Sequence, residues 1–325
     1  MIARRSFLIA STTALAAPVF AQGRSALLAD AMQNLPQLHS LQIQRAGEVV
    51  FAKAQKGPGL DRLANIKSYS KSVVALLLGT AIHRREISSV DASLQEVAPR
   101  LLPANATPGA EDITMEDLVT LRAGLERTSG GNYGEWISSS NWIADALSRP
   151  MVATPGGQML YSTGSTHVLG AALTEATGKS LLTLSRERLG GPLDIEIPAW
   201  TRDPQGYYLG GNEMAITPRS MLKIAVLLRD RGVYANKQVI PENWIAASMK
   251  PYGRSAFSGL GYGYGWFLLP SGYALARGYG GQIIAAHPDR KLAVAITSDP
   301  TRPARSGGYF GDLIRLLDGP ILNMA

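Results

Sequence analysis

A run too apolar to face water follows the segment Ile66-Lys67-Ser68-Tyr69-Ser70-Lys71-Ser72. It runs through Val73, Val74, Leu76, Leu77, Leu78, Ala81 and Ile82. Apolar residues on every side of a helical wheel predict a helix buried all round. Before it, residues 41–54 alternate apolar and polar positions about the turn Arg45-Ala46-Gly47-Glu48, which predicts two paired strands. From residue 86 to 205 the pattern turns helical and loop-rich, with amphipathic segments at ITMEDLVTLRAGL, SSNWIADALSRPM and THVLGAALTEATGKS. Thr114 followed by Asp117 predicts a capped helix start. Near the end, residues 262–269, 273–279, 281–287 and 290–298 read as strands, punctuated by Pro270-Ser271-Gly272 and Pro288-Asp289-Arg290. A last helix is expected over Gly308–Leu317. Strands at both ends with helices between them predict an α+β fold, an antiparallel sheet flanked by helices and built from both termini. The expected division is a sheet domain of residues 22–85 and 206–325 with a mainly helical insertion over 86–205. No internal repeat or low-complexity linker interrupts it.

Composition narrows the chemistry. With 325 residues, 46% of them hydrophobic and 18% charged, the chain can bury one large core or two adjoining ones. It has no cysteine, which removes disulfides, thiolate metal sites and cysteine nucleophiles. Its four histidines, His39, His83, His167 and His287, are scattered without metal-ligand spacing, so no metal or other cofactor is expected. The formal charge of +7 comes from dispersed residues with no basic run or basic–aromatic interleaving, so nucleic-acid binding is not expected. Residues 1–21 read as an export signal. Arg4-Arg5-Ser6-Phe7-Leu8 precedes a short apolar stretch and Val19-Phe20-Ala21 supplies a small-residue cleavage site, the pattern of twin-arginine export. The apolar part is too short and too rich in hydroxyls to anchor in a bilayer, so a periplasmic or secreted protein with no membrane segment after processing is expected.

Ser68 and Lys71 carry the candidate chemistry. At i and i+3 on a helix their side chains share a face. A serine hydroxyl needs a base within hydrogen-bond reach to act as a nucleophile, and a lysine stripped of water loses basicity toward neutrality. A second Ser-x-x-Lys, Ser220 to Lys223, leads into Arg229, Asp230 and Arg231, the wet end of a surface helix, which makes Ser68 the better nucleophile. Ala176-Thr177-Gly178-Lys179-Ser180 lacks the first glycine of a phosphate loop and reads as a helix stop at Gly178. The glycine ladder from Gly259 to Gly265 lacks dinucleotide-site spacing.

Taken together, IKSYSKSVVALLLGTAI, ITMEDLVTLRAGL, TPGGQMLYSTGSTHVLGAALTEATGKS, DPQGYYLGGNEMAITPRSMLKIAVLLRDRG, GYGYGWFLLPSG and GYGGQIIAAHPDRKLAVAITSD resemble the serine β-lactamase and penicillin-binding-protein superfamily. The resemblance is nearest to its class C-like esterases and amide hydrolases, including 6-aminohexanoate-dimer hydrolases, and covers nearly the whole mature chain. It implies a β-lactamase/transpeptidase-like fold and places a catalytic tyrosine at Tyr161, in Tyr161-Ser162-Thr163, with Thr163 where asparagine is usual. The literal match Tyr234-Ala235-Asn236 is rejected because it lies in a turn between two helices. The strand motif Lys-Thr-Gly or His-x-Gly aligns with Ala276-Arg277-Gly278, so the usual strand cation is absent at Ala276. The resemblance then implies an oxyanion hole from the N–H groups of Ser68 and Tyr279, and substrate contacts at Thr163, Arg277, Gly278 and Gly280. The expected activity is cleavage of a small-molecule ester or amide through an acyl-enzyme on Ser68, with Lys71 and Tyr161 moving the proton and either of them open as the resting base. A β-lactamase, a D,D-peptidase and a non-catalytic envelope binding protein are the alternatives. The missing cation at Ala276 disfavours the first two, and the presence of Ser68, Lys71 and Tyr161 disfavours the third.

Overall fold

The computed structural model describes residues 17–324, with side chains from Ser25 onward. The Arg4–Arg5 pair lies outside the described residues, and helix α1, Ala17–Gln33, runs through the expected cleavage position at Ala21. Two strands follow, β1 Leu38–Arg45 and β2 Glu48–Ala54, matching the alternation seen over 41–54. Helix α2 is Ser70–His83, α3 Thr163–Thr177 and α4 Pro218–Arg229. The later strands are β3 Gly253–Arg254, β4 Gly261–Tyr262, β5 Phe267–Leu268, β6 Ala274–Gly278, β7 Gln282–His287 and β8 Leu292–Ser298. Helix α5, Tyr309–Leu316, follows them. Among the described residues these eight strands form one sheet in the order β2-β1-β8-β7-β6-β5-β4-β3, every pairing antiparallel. The first two strands pair beside the last one, so both ends of the chain build the sheet.

Alternation along the central strands assigns each face. Ala274 and Ala276, Ile284 and Ala286, and Ala293 and Ala295 face the core shared with α2 and α4. Leu275, Ile283, Ala285, Leu292, Val294 and Ile296 face the core shared with α1 and α5. The helix-facing side is rich in alanine, which lets α4 lie close over β8 and β7. Helix α2 is the centre of the molecule, with Ser70 through Ala81 all buried. Each fully buried valine or leucine there contributes about 1.5–3 kcal/mol relative to exposure.

Two expectations are refined. The stretch 262–269 is two short strands rather than one, because Gly265 adopts φ +80° and turns the chain between them. The helical region contains short helices such as Met115–Val119 and Trp142–Leu147, the first capped as expected, with Thr114 accepting the Asp117 N–H and Asp117 accepting the Thr114 N–H. No described helix is long and apolar enough to cross a membrane.

Candidate active site

Ser68 sits in a single 3₁₀ turn, Lys67–Tyr69, that leads directly into α2. Lys67 has φ +52°, a left-handed conformation that a side chain resists. Its partners hold it there: its N–H donates to Asn65 Oδ1 at 2.9 Å, and its ammonium meets Glu213 at 3.1 Å. Asn65 donates to the other Glu213 oxygen at 2.6 Å. The Tyr69 N–H closes this turn on the Ile66 carbonyl at 3.2 Å, and the sharp entry presents Ser68 at the cleft.

Lys71 lies one turn on, inside the protein. Its Nζ is 3.3 Å from Ser68 Oγ, 3.1 Å from Thr163 Oγ1 and 2.8 Å from the Gly211 carbonyl. None of these partners is a carboxylate. Burial alone therefore decides its basicity and pushes its pKa from 10.5 down to about 7. The neutral amine suits this setting: two N–H groups serve Gly211 and Thr163, and the lone pair faces the serine. Glycine at 211 leaves room for this approach: a Cβ there would sit 3.1 Å from Lys71 Nζ and 3.0 Å from Thr163 Cγ2, and both side chains would have to give way.

Tyr161 comes from the segment entering α3. Its ring lies 4.9 Å from Lys71 Nζ, and Phe267 stacks behind it at 6.3 Å between centroids. Burial raises the Tyr161 pKa, with a hydrogen bond to Ser68 and the Arg277 charge pulling in the opposite direction. Phenol and amine are thus driven apart: the phenol is held protonated, while the amine can lose its proton near pH 7.

Strand β6 closes the other side. A Cβ on Gly278 would lie 2.2 Å from the Ile66 carbonyl, so glycine lets the strand press against the backbone just before the nucleophile. This brings Tyr279 to the wall of a cavity of about 780 Å³ that Ser68, Tyr161, Arg277 and Gly278 also line. Phe257, Phe267 and Pro303 make much of the remaining wall apolar.

The expected site residues divide three ways. Ser68, Lys71 and Tyr161 are brought together, with Gly278 and Tyr279 beside them. Thr163, expected to contact substrate, is buried, and its hydroxyl engages Lys71 and Ser129 Oγ, the latter at 2.9 Å. Gly280 lies behind the wall, where a Cβ would meet the Asp299 carbonyl at 2.3 Å. Arg277, expected among the substrate contacts, brings to the cavity a cation that Ala276 does not. Ala276 faces α2 and α4 and is 1% exposed, so it could carry no cation into the cleft. The next residue takes the opposite face, and its guanidinium borders the cavity, donating to the Ala304 carbonyl and Ser306 Oγ and stacking 3.6 Å above the Phe310 ring. Burial lowers its pKa to about 10, which leaves it charged at neutral pH.

The rejected candidates have structural places. Ser220 serves a helix start: its N–H and hydroxyl join the Thr217 cap of α4, and Lys223 binds Asp194. Tyr234 and Asn236 form a hairpin between α4 and the next helix. Sequence reasoning missed the Gly211 carbonyl, Ser129 and the Lys67–Glu213 brace. A backbone acceptor leaves no side-chain signature, and the only trace of it was the glycine pair in YYLGGNEM.

Comparison with known proteins follows the same line. The family model for beta-lactamases matches residues 29–318. No curated protein matches the chain in sequence. Among solved structures, a penicillin-binding protein homologue from Caulobacter crescentus is similar with TM-score 0.75 and 18% identity, over 93% of this chain and 98% of that one. EstCE1, described as a hydrolase with promiscuous acyltransferase activity, gives 0.74 and 19% over 93% and 98% of the two chains. A protein from Bacillus anthracis, provisionally named a 6-aminohexanoate-dimer hydrolase, gives 0.74 and 18% over 92% and 80%. At these identities the structures establish the shared fold.

Proposed function

The chain belongs to the beta-lactamase family, whose members are serine hydrolases, and from that premise we propose that it cleaves a small ester or amide through an acyl-enzyme on Ser68. The observation that carries this reading is Lys71, desolvated without a counter-ion, with its pKa near 7 and its amine 3.3 Å from the serine hydroxyl. In the proposed reaction neutral Lys71 takes the Ser68 proton as Oγ attacks the carbonyl. The N–H groups of Ser68 and Tyr279 hold the oxyanion; loss of one such donor reduces rate by about 10²–10³. Tyr161, protonated at rest, gives its proton to the leaving group and recovers one from Lys71. Water then attacks the acyl-enzyme, its proton returns through the same two groups to Ser68, and the acid leaves.

A second reading, a β-lactamase or D,D-peptidase, draws support from Arg277, because a cation bordering the cavity can pair with a substrate carboxylate. Against it, that guanidinium already has two acceptors and an aromatic face, so the ester and amide reading stands first. We also propose export, resting on the arginine pair and small-residue site of residues 1–21; lysines at Arg4 and Arg5 should retain precursor in the cytoplasm.

The activity is tested by intact-mass measurement after exposure to a fluorophosphonate, a penicillin and short-chain esters. The wild type should gain one adduct and Ser68→Ala none. An adduct that persists in Ser68→Ala and vanishes in Ser220→Ala would refute the assignment.

A further inference from the structure

A buried histidine–aspartate pair stands close to the lysine, and the reaction above leaves it without a role. His167 on α3 and Asp203 have side chains fully removed from solvent, with Nε2 3.0 Å from Oδ2. Trp136 and Trp142 meet the imidazole edge-on at 5.8 and 5.7 Å between centroids. The second Asp203 oxygen accepts the N–H groups of Gln205 and Tyr207 at 3.0 and 2.8 Å, which fixes a turn. The chain then runs back against itself, with Leu209 N–H donating to Thr201 at 2.9 Å, and reaches Gly210 and Gly211. His167 Nδ1 accepts the Gly210 N–H at 3.4 Å. That role requires the ring proton to sit on Nε2, where it donates to Asp203. Gly210 lies directly on α3, since a Cβ there would be 2.4 Å from the Thr166 carbonyl. The next carbonyl along the chain, that of Gly211, receives Lys71 Nζ at 2.8 Å.

We propose that His167 and Asp203 are positioning residues for the general base: by seating Gly210 against α3, they fix the Gly211 carbonyl over the Lys71 amine and keep water from it. A buried polar pair stabilises a fold little in net terms, whereas this one joins the 203–211 segment to the helix that begins at Thr163. The groups around Lys71 leave its environment to this seal. Tyr161 faces it from the segment before α3, no carboxylate reaches it, and Glu213 is engaged by Lys67 and Asn65. The proposal rests on the reading of Lys71 as base.

The test uses four variants of the full chain, three of them at the seal and one at Lys71. Gln in place of His167 can put its amide nitrogen where Nε2 stands but offers Gly210 no acceptor at Nδ1. Asn in place of His167 puts an oxygen at the Nδ1 position. Gly210→Ala drives the backbone off α3 while keeping both side chains of the pair. With the seal opened, water reaches the amine and its pKa rises toward the ordinary value. His167→Gln and Gly210→Ala should therefore move the acid limb of the kcat–pH profile upward by about one unit and lower kcat by about 10–100-fold. His167→Asn should keep the limb within a few tenths of a unit of the wild type. If His167→Gln does not fold by circular dichroism, Gly210→Ala decides alone. An unmoved limb in folded Gly210→Ala or His167→Gln overturns the proposal, as does a limb in His167→Asn displaced as far as in His167→Gln. Lys71→Met separates the two readings. If it remains active, the base assignment fails; if it is inactive while the other limbs stay put, only the positioning role fails.

Discussion

Lys71→Met should make the protein more stable as it makes it inactive, and the gain should fade as pH rises. The lysine pKa is 10.5 when unfolded and about 7 in the fold, a difference of about 5 kcal/mol between the two protonation states. The sign follows from proton counting. Between pH 7 and 10.5 the unfolded chain holds more protons on this residue than the folded one, so stability rises with pH across that window. Worked through the binding polynomial, the lysine opposes folding by about 4–5 kcal/mol at pH 6–7, about 2 at pH 9, and less than about 0.5 at pH 10.5. Methionine removes this pH-dependent penalty but leaves the Gly211 carbonyl and Thr163 hydroxyl short of a partner, at about 1–3 kcal/mol. The net gain at pH 7 is then about 1–3 kcal/mol, and the firmer quantity is the decline of about 2 kcal/mol in that gain from pH 7 to pH 9. Urea unfolding of both proteins at pH 6, 7, 8 and 9 measures it. Parallel stability curves across that range would mean that Lys71 titrates as an ordinary lysine, and the account of the base would be wrong.

Gly278→Ala should lower kcat by about 10²-fold or more and also lower stability, because its Cβ would force β6 away from Ile66 and open the oxyanion pair; a thermal melt and ester turnover of the folded protein check both halves. Wild-type kcat/KM should be far higher for p-nitrophenyl butyrate than for benzylpenicillin or nitrocefin, and Arg277→Ala should change either by no more than a few-fold, because the guanidinium is already engaged; strong β-lactam turnover that falls about 10–150-fold in Arg277→Ala, the range of a charge-assisted hydrogen bond of about 1.5–3 kcal/mol, would overturn the ester reading. Ala276→Lys should cost about 3 kcal/mol or more of stability without improving β-lactam turnover, since the ammonium would enter the alanine-lined interface under α4; a thermal melt with nitrocefin kinetics decides it.

Much of this architecture could be read from the chain, for identifiable reasons. Helix α2 announced itself because no face of it is wet, and β6 to β8 because Pro270-Ser271-Gly272 and Pro288-Asp289-Arg290 mark their ends. Tyr161 was reached through resemblance alone; Tyr234, with asparagine two residues later, is the better literal match and sits in a surface hairpin. The direction of Arg277 was not legible because Ala274, Leu275 and Ala276 are all buried, and a strand buried on both faces hides its alternation. The partners of Lys71 come from positions 68, 163 and 211, one of them a carbonyl, and only the fold places them at one point.

The opposed shifts of Lys71 and Tyr161 are the basis of the roles proposed for them, and one variant separates the two. A buried amine at about 7 and a phenol raised above 10 cannot both set the acid side of the rate profile. If Lys71 must be neutral for Ser68 to attack, activity falls as pH drops through about 7 whether or not the phenol is present. Tyr161→Phe removes only the hydroxyl and keeps the ring between Phe267 and the lysine. Its plateau should drop by about 10²–10⁴, the worth of a general acid, while the acid limb stays within a few tenths of a unit of the wild type. Tyr234→Phe should leave both unchanged. A single-turnover profile with an activated ester, where acylation is observed directly, makes the comparison. A limb that disappears with the Tyr161 hydroxyl would make tyrosinate the base and the Arg277 charge, which pulls that phenol downward, the group that creates it.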